Sequence, residues 1–219
     1  MDKYFLEVQN EQFLEGYNFF IEGEYREAIN CFNKLISKEK PSAFYYYWRG
    51  QAHYSANLID LAKWDYLKAL EQDADQPIIY FSAGLIFYYR KSFDLAEEWM
   101  KNSIRSLDDN APIFGNAVFD ASGPYLYLGN IFCFKKDINL AYACYKKAIQ
   151  LNNDCLYAVF NLAILYWAEE KFDDALVVLD QAISLGSDTA VFLYSFIKKK
   201  SKTVMGRPAI DFIVTGFEE

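Results

Sequence analysis

The 219-residue sequence contains little of what most metal and redox chemistries require. It has a single histidine, His53, and four cysteines that form no CxxC pair. Zinc sites and redox centres depend on clustered Cys and His ligands, so we expect no metal and no other cofactor. Five prolines and ten glycines are too few for a collagen-like or low-complexity chain.

An excess of basic residues is also lacking. The chain has 22 Lys and Arg against 30 Asp and Glu, a formal net charge of -8. Nonspecific nucleic-acid binding needs clustered cations that replace the counterions of the phosphates, so we expect no nucleic-acid partner.

Long apolar runs are absent as well. The longest uncharged runs, Gln76–Tyr89 and Cys155–Ala168, have 14 residues each, and a membrane-spanning helix needs about 20. The first twelve residues include Asp2 and Glu7 and have no apolar core typical of a secretory signal. The sequence therefore predicts no membrane span and a cytoplasmic location, in which the four cysteines are free thiols.

Aromatic residues, in contrast, are abundant: 18 Tyr, 19 Phe and 4 Trp make up 19% of the chain. The explanation begins with a period of 34 residues, found by aligning small residues. Each repeat has a small residue, an alanine twelve positions later and a large residue four positions after that. The small residues are Gly16, Gly50, Gly84, Gly129 and Ala163; the alanines are Ala28, Ala62, Ala96, Ala141 and Ala175; the large residues are Phe32, Tyr66, Met100, Tyr145 and Leu179.

This spacing resembles the tetratricopeptide repeat family, whose pattern is aromatic-x2-Leu-Gly-x2-Tyr followed by Ala-x3-Phe. The fourth repeat carries it in full, as Tyr125, Leu128, Gly129, Phe132, Ala141 and Tyr145. The first repeat departs from it, with Gln12 and Glu15 where an aromatic residue and a leucine are usual.

The resemblance implies an all-α fold: a right-handed α-solenoid of five helix-turn-helix units. Residues 1–8 are a lead-in to an array that extends over 9–199. The units are 9–42, 43–76, 77–110, 122–155 and 156–189, with an insert at 111–121 and a capping helix at 189–199. The tail at 200–219 begins with a basic stretch, and Pro208 prevents a continuous helix there. Ile210, Phe212 and Val214 then alternate with other residues, as in an extended segment. We hypothesise that this apolar tail docks in an aromatic groove, its own or a neighbour's.

The family binds ligands on its concave face, which the first helices line. Carrying those positions over to this chain predicts a peptide-binding groove with many aromatic rings and almost no charge. Its residues are Tyr17, Phe20, Tyr47, Trp48, Gln51, Tyr54, Phe81, Tyr88, Tyr127, Asn130, Asn161 and Trp167. Packing between helices is the alternative role for about half of these aromatics, above all at the fifth and twelfth positions of each unit.

Some family members bind a C-terminal carboxylate with a clamp of lysine, asparagine and arginine residues. Asn130 and Asn161 match its asparagines by position, but Leu126 stands where the first lysine is needed. Without cations a carboxylate would be desolvated without compensation, so we do not expect a clamp. An amphipathic, tyrosine-rich groove instead suits an apolar peptide.

The sequence thus predicts a noncatalytic, adaptor or chaperone-like module that binds an apolar or aromatic peptide segment. A second hypothesis is a self-assembling scaffold in which the insert or the tail bridges protomers into a homo-oligomer. A third is an enzyme or small-ligand sensor that uses the tyrosines around His53, although a packing or groove-lining role suits that histidine better. No catalytic motif of the GxSxG, HExxH, P-loop or GxGxxG type occurs.

Overall fold

The computed structural model describes residues 8–38, 42–73, 76–107 and 119–200, without the side chain of Lys200. All regular structure in these ranges is helical, and it forms two compact units divided between Phe119 and Asp120. That boundary falls inside the predicted insert. The rest of the insert and the tail from Ser201 onward lie outside the described residues.

The N-terminal unit contains three helix pairs. Their helices are α1 (Glu11–Ile21), α2 (Tyr25–Lys38), α3 (Ala43–Ser55), α4 (Ile59–Gln72), α5 (Pro77–Tyr89) and α6 (Phe93–Arg105). Each first helix packs against its own second helix, and α2 and α4 also pack against the first helix of the following pair.

The C-terminal unit contains two helix pairs and one further helix. Their helices are α7 (Ser122–Phe134), α8 (Ile138–Leu151), α9 (Leu156–Ala168), α10 (Phe172–Ser184) and α11 (Asp188–Lys200). The last of these packs against α10. The five pairs lie within the ranges predicted for the five repeats, and α11 extends the predicted capping helix by one residue at each end.

Small residues let the two helices of a pair approach closely. The five repeat alanines, from Ala28 to Ala175, have no exposed surface. At Gly50 an added Cβ would come within 2.7 Å of Tyr66 Cε1, so only glycine fits beside that ring. The fifth pair places Ala163 opposite the smaller Leu179, and both are fully buried. The size of the first-helix residue is therefore matched to the side chain that faces it.

The turns inside the pairs share one backbone conformation that residue identities do not reveal. The residue two positions before each second helix has a left-handed backbone, with φ between 58° and 82°. These residues are Gly23, Asn57, Lys91, Lys136 and Glu170. Within each unit they recur every 34 residues, so the turn geometry repeats with the period found in the sequence. Only one of them is a glycine, although glycine adopts this conformation with least strain.

Helix starts are capped by local polar groups in several places. The Asn10 side chain accepts hydrogen bonds from the backbone N–H groups of Gln12 and Phe13, at 2.9 and 3.2 Å. Asp137 accepts one from Leu140 at 3.2 Å at the start of α8. Such caps satisfy the first N–H groups of a helix, which have no partner within it.

Candidate functional site

The aromatic surplus of the N-terminal unit is concentrated on its first helices. Phe13 of α1 lies at the centre of a ring cluster and is only 3% exposed. Its ring centroid lies 4.6 Å from that of Phe44, 5.9 Å from Tyr17 and 6.0 Å from Trp48. Aromatic contacts in this range add to the stabilisation from burial alone. The cluster therefore fixes α1 against α3.

The rim of this cluster is formed by half-buried rings. Tyr17 meets Trp48 edge to face at 5.0 Å, and Phe20 meets the same indole at 5.8 Å. All three side chains retain exposed surface. They are predicted groove residues, and the fold brings them together on adjacent first helices.

Two tyrosines extend this rim to α5. Tyr54 and Tyr88 are half-buried. The Tyr88 ring contacts those of Tyr89 and Phe93, with centroid distances of 5.4 and 5.9 Å. Partial burial, together with the nearby Tyr89 phenol, raises the pKa of Tyr54. The Tyr54 phenol is therefore a neutral hydrogen-bonding group at physiological pH.

Phe81 has a different neighbour. Its ring meets that of Phe119 at 5.8 Å, and Phe119 belongs to the predicted insert. The described end of the insert thus packs on a predicted groove residue.

Tyr47 and Gln51 correct the expectation of exposure. Tyr47 is only 3% exposed, and burial raises the pKa of its phenol, against the opposing effect of a hydrogen bond with Ser82. Gln51 Nε2 donates to the Tyr47 hydroxyl at 3.0 Å, and the Tyr66 hydroxyl of α4 donates to Gln51 Oε1. The Tyr47 ring is therefore a packing element between helices, and Gln51 has both ends of its amide engaged by its neighbours.

In the C-terminal unit the two predicted asparagines contact each other. Asn161 Nδ2 of α9 donates to Asn130 Oδ1 of α7 at 2.8 Å, and the buried Tyr145 hydroxyl of α8 donates to the same oxygen at 2.8 Å. Tyr145 also lies 3.4 Å from the thiol of Cys133, whose pKa burial raises to about 11. One carbonyl oxygen thus connects three helices.

The other two predicted residues of this unit, Tyr127 and Trp167, are half-buried. The Trp167 ring meets Phe196 of α11 edge to face at 5.7 Å. None of the twelve predicted groove residues is an acid or a base that is charged at neutral pH. The groove positions therefore supply neutral hydrogen-bonding groups and apolar surface.

The most polar buried cluster was missed by reasoning from the sequence. Asp65 of α4 has no exposed surface and binds two residues of α3. Arg49 contacts its carboxylate at 2.6 Å, and His53 Nδ1 contacts it at 2.7 Å. A signal was present: Ala62, Asp65, Tyr66 and Ala69 recur at i, i+3, i+4 and i+7, so an acid interrupts the apolar face of a helix.

This cluster gives His53 a structural environment. The ring is 8% exposed, and one of its nitrogens is engaged by a carboxylate that also binds a guanidinium. Arg49 further donates to Asn33 of α2 at 2.7 Å. The three side chains connect α2, α3 and α4 of the N-terminal unit.

Metal-binding and membrane-spanning proteins are two further classes to compare with this structure. Across 8–38, 42–73, 76–107 and 119–200, no three His, Cys, Asp or Glu residues are grouped so that they could hold a metal ion. In the same ranges no helix combines the length and the apolar character needed to cross a membrane.

Sequence models of the tetratricopeptide repeat match the chain at residues 13–77 and 124–155. These ranges cover the first, second and fourth helix pairs. A TPR repeat-containing protein of Methanocaldococcus jannaschii is 30% identical over 146 residues, which are 64% of this chain and 25% of that protein. Human protein O-mannosyl-transferase TMTC3 is 28% identical over 192 residues, 74% of this chain and 21% of that protein. The chain thus spans about a quarter or less of these curated relatives.

Solved structures show the same fold at low identity. PilF of Pseudomonas aeruginosa superimposes with a TM-score of 0.75 at 18% identity, over 90% of this chain and 86% of that one. Yeast Tom70 gives 0.73 at 17% identity, over 91% and 42% of the two chains. YrrB, described as a TPR protein with an unusual peptide-binding site, gives 0.60 at 21% identity, over 78% and 85%.

Helix pairs with small residues at their contacts, stacked within each unit, define an α-solenoid of the class that mediates protein interactions. The chain belongs to the tetratricopeptide repeat family. The sequence models do not reach the third and fifth pairs, which are assigned as repeats by the 34-residue register and the shared turn conformation.

Proposed function

We propose that this protein is a noncatalytic adaptor or chaperone-like module whose N-terminal unit binds an apolar or aromatic peptide segment. The binding surface is the first-helix face, defined as Tyr17, Phe20, Trp48, Tyr54 and Tyr88. The observation that carries the proposal is that three successive first helices each contribute half-buried aromatic side chains to it. A cytoplasmic location is part of the same proposal.

Half-buried rings suit this role because they are already held in place. Trp48 is fixed by Tyr17 and Phe20, so little conformational entropy is lost when a ligand covers the remaining surface. Tyrosine also retains a hydroxyl that can hydrogen-bond to a peptide backbone. A ligand with apolar or aromatic anchor residues gains most from this combination.

Charge favours particular flanking residues in the ligand. The face itself is neutral, while the whole chain carries a net charge of -8. Basic residues beside the apolar anchors would be attracted over a range of about 8–10 Å at physiological ionic strength. We therefore expect selected peptides to be apolar with Lys or Arg at their flanks, and association to slow as salt is raised.

The experiment is selection of peptides from a random phage-displayed library on the immobilised full chain, followed by solution titration of the best binder. Tyr17→Ala with Tyr88→Ala should weaken binding by tenfold or more, as expected for two anchor contacts. The matched control is Leu61→Ala with Trp64→Ala, which removes half-exposed apolar side chains from the second helix α4. Equal affinity for both double variants would reject the first-helix face. Tyr47→Ala is avoided because it opens a cavity in a packed site.

The sequence also predicted a self-assembling scaffold, and one observation favours it. Phe192 of α11 is 73% exposed, which is unusual for a phenylalanine on a helix. Light scattering of the full chain tests the scaffold: a mass above that of the 25.5 kDa monomer at micromolar concentration would support it.

A further inference from the structure

The last helix, α11, packs as the first helix of a pair does. In α9 the third and tenth residues, Ala158 and Leu165, are buried. In α11 the third and tenth residues, Ala190 and Ile197, are buried as well. The two helices therefore present corresponding faces to the second helix that precedes each of them.

The opposite side differs sharply between the two helices. In α9 the fourth and fifth residues, Val159 and Phe160, are 0% and 6% exposed. Their counterparts in α11, Val191 and Phe192, are 46% and 73% exposed. The two helices carry the same side chains at these positions, while the cover over them differs.

The residue at the close-approach position is small in both helices. The eighth residue of α9 is Ala163, which is fully buried, and the eighth of α11 is Ser195, which is exposed. Small residues at this position admit a neighbouring backbone. Phe196 follows at 38% exposure and Lys199 is exposed one turn later. We call Val191, Phe192, Ser195, Phe196 and Lys199 the open face of α11.

A segment with complementary properties follows directly in the sequence. Ile210, Phe212 and Val214 fall on one side of an extended chain, and Asp211 and Thr215 fall on the other. Pro208 interrupts any helix that would continue from α11. An extended segment with one apolar edge suits a narrow apolar face that has a small residue at its centre.

The length of chain allows this segment to return along α11. The helix has 13 residues and is about 20 Å long at 1.5 Å per residue. Residues 201–208 can span up to roughly 26–29 Å when extended. Residues 209–217 can therefore lie beside the helix in the antiparallel direction.

Charge is complementary as well. Residues 209–219 contain Asp211, Glu218 and Glu219 and no Lys or Arg, while Lys199 lies on the open face. A segment tethered by a short linker also experiences a local concentration in the millimolar range, which favours it over the same segment of a second copy.

We propose that residues 209–217 bind along the open face of α11 in the same chain. The bound segment covers Val191 and Phe192 and takes the place that a second helix has in the preceding pairs. This interaction is independent of the first-helix face of the N-terminal unit.

Hydrogen exchange of α11, measured by mass spectrometry on the full chain, tests the proposal. Ile210→Ser with Phe212→Ser and Val214→Ser should accelerate exchange of the α11 amides by about tenfold, because the helix loses its cover. Ile213→Ser is the matched control, since this side chain lies on the other edge, and it should change exchange by less than about twofold. Phe192→Ser should accelerate exchange like the triple variant, and combining the two should add little.

Two results would overturn the proposal. One is unchanged α11 exchange in the triple variant. The other is acceleration that depends on protein concentration and accompanies loss of a dimer in light scattering, which would assign the open face to a second copy. Restored protection after a synthetic peptide of residues 207–219 is added to a chain that ends at Gly206 would support it.

Discussion

Asn161 donates a hydrogen bond from its amide nitrogen to Oδ1 of Asn130 at 2.8 Å and so connects α9 to α7. The same oxygen accepts the hydroxyl of Tyr145, which has no exposed surface. The two asparagines that the sequence offered as ligand-binding groups are thus also bonded within the C-terminal unit.

The first prediction concerns this shared oxygen. Asn130→Ala should lower the free energy of unfolding by about 1–3 kcal/mol, because the buried Tyr145 hydroxyl loses an acceptor. In the Tyr145→Phe background the same change should cost less, since the hydroxyl is already absent. Urea denaturation measures both, and Asn153→Ala, at an exposed turn residue, should stay within about 0.5 kcal/mol of the wild type. Identical costs in the two backgrounds would contradict the coupling.

The second prediction concerns the matched sizes inside a helix pair. A Cβ added at Gly129 would come within 2.6 Å of Tyr145 Cδ1, so Gly129→Ala should destabilise by about 1–3 kcal/mol through overpacking. Helix propensity opposes this by up to about 1 kcal/mol. The fifth pair combines Ala163 with Leu179, and so Gly129→Ala should cost clearly less when Tyr145→Leu is already present. A cost that is the same with tyrosine or leucine would show that the two positions are independent.

The third prediction concerns the left-handed turn residues. Lys136 has φ of 63°, a conformation that costs a non-glycine residue about 1–2 kcal/mol. Lys136→Gly should therefore raise the melting temperature, by a net stabilisation of about 0.5–1 kcal/mol after the entropy gained by the unfolded chain. The neighbouring Lys135 has φ of -74°, and Lys135→Gly should lower the melting temperature. Thermal unfolding followed by circular dichroism gives the sign of each change; equal signs would refute the turn argument.

The fourth prediction concerns the buried carboxylate. Asp65→Ala should destabilise by about 3–5 kcal/mol, because it leaves the largely buried Arg49 guanidinium without its countercharge. Asp60→Ala removes the exposed ion pair with Arg90 and should cost less than about 1 kcal/mol. Chemical denaturation of the two variants compares a buried with an exposed ion pair in the same helix. Similar losses for both would contradict the structural role of Asp65.

The helical architecture could be predicted from the sequence because the repeat positions are occupied by small residues. Gly50 and Ala62 stand where two helices approach, and no other residue type fits as well, so the contact is visible in the letters themselves. The turn conformation could not be predicted in the same way. Lys136 and Glu170 adopt it because the flanking helices require it, against their own preference.

The candidate site was only partly predictable. Tyr47 and Trp48 are adjacent on a helix in which most residues are aromatic, so the hydrophobic pattern cannot show which ring packs inward. The structure buries Tyr47 and leaves Trp48 half-exposed. Asp65 was overlooked for the opposite reason: acids are common on second helices, and only its place in the apolar face marks it as buried.

The most direct test of the account is the location of a bound peptide. A peptide selected on the full chain is synthesised with a benzophenone beside its apolar anchor, cross-linked by light and mapped by mass spectrometry. The proposal predicts cross-links to α1, α3 and α5, at or next to Tyr17, Trp48, Tyr54 and Tyr88, and their loss with Tyr17→Ala and Tyr88→Ala. Cross-links confined to the second helices, or unchanged in the double variant, would contradict the claim that the first-helix aromatics form the binding surface.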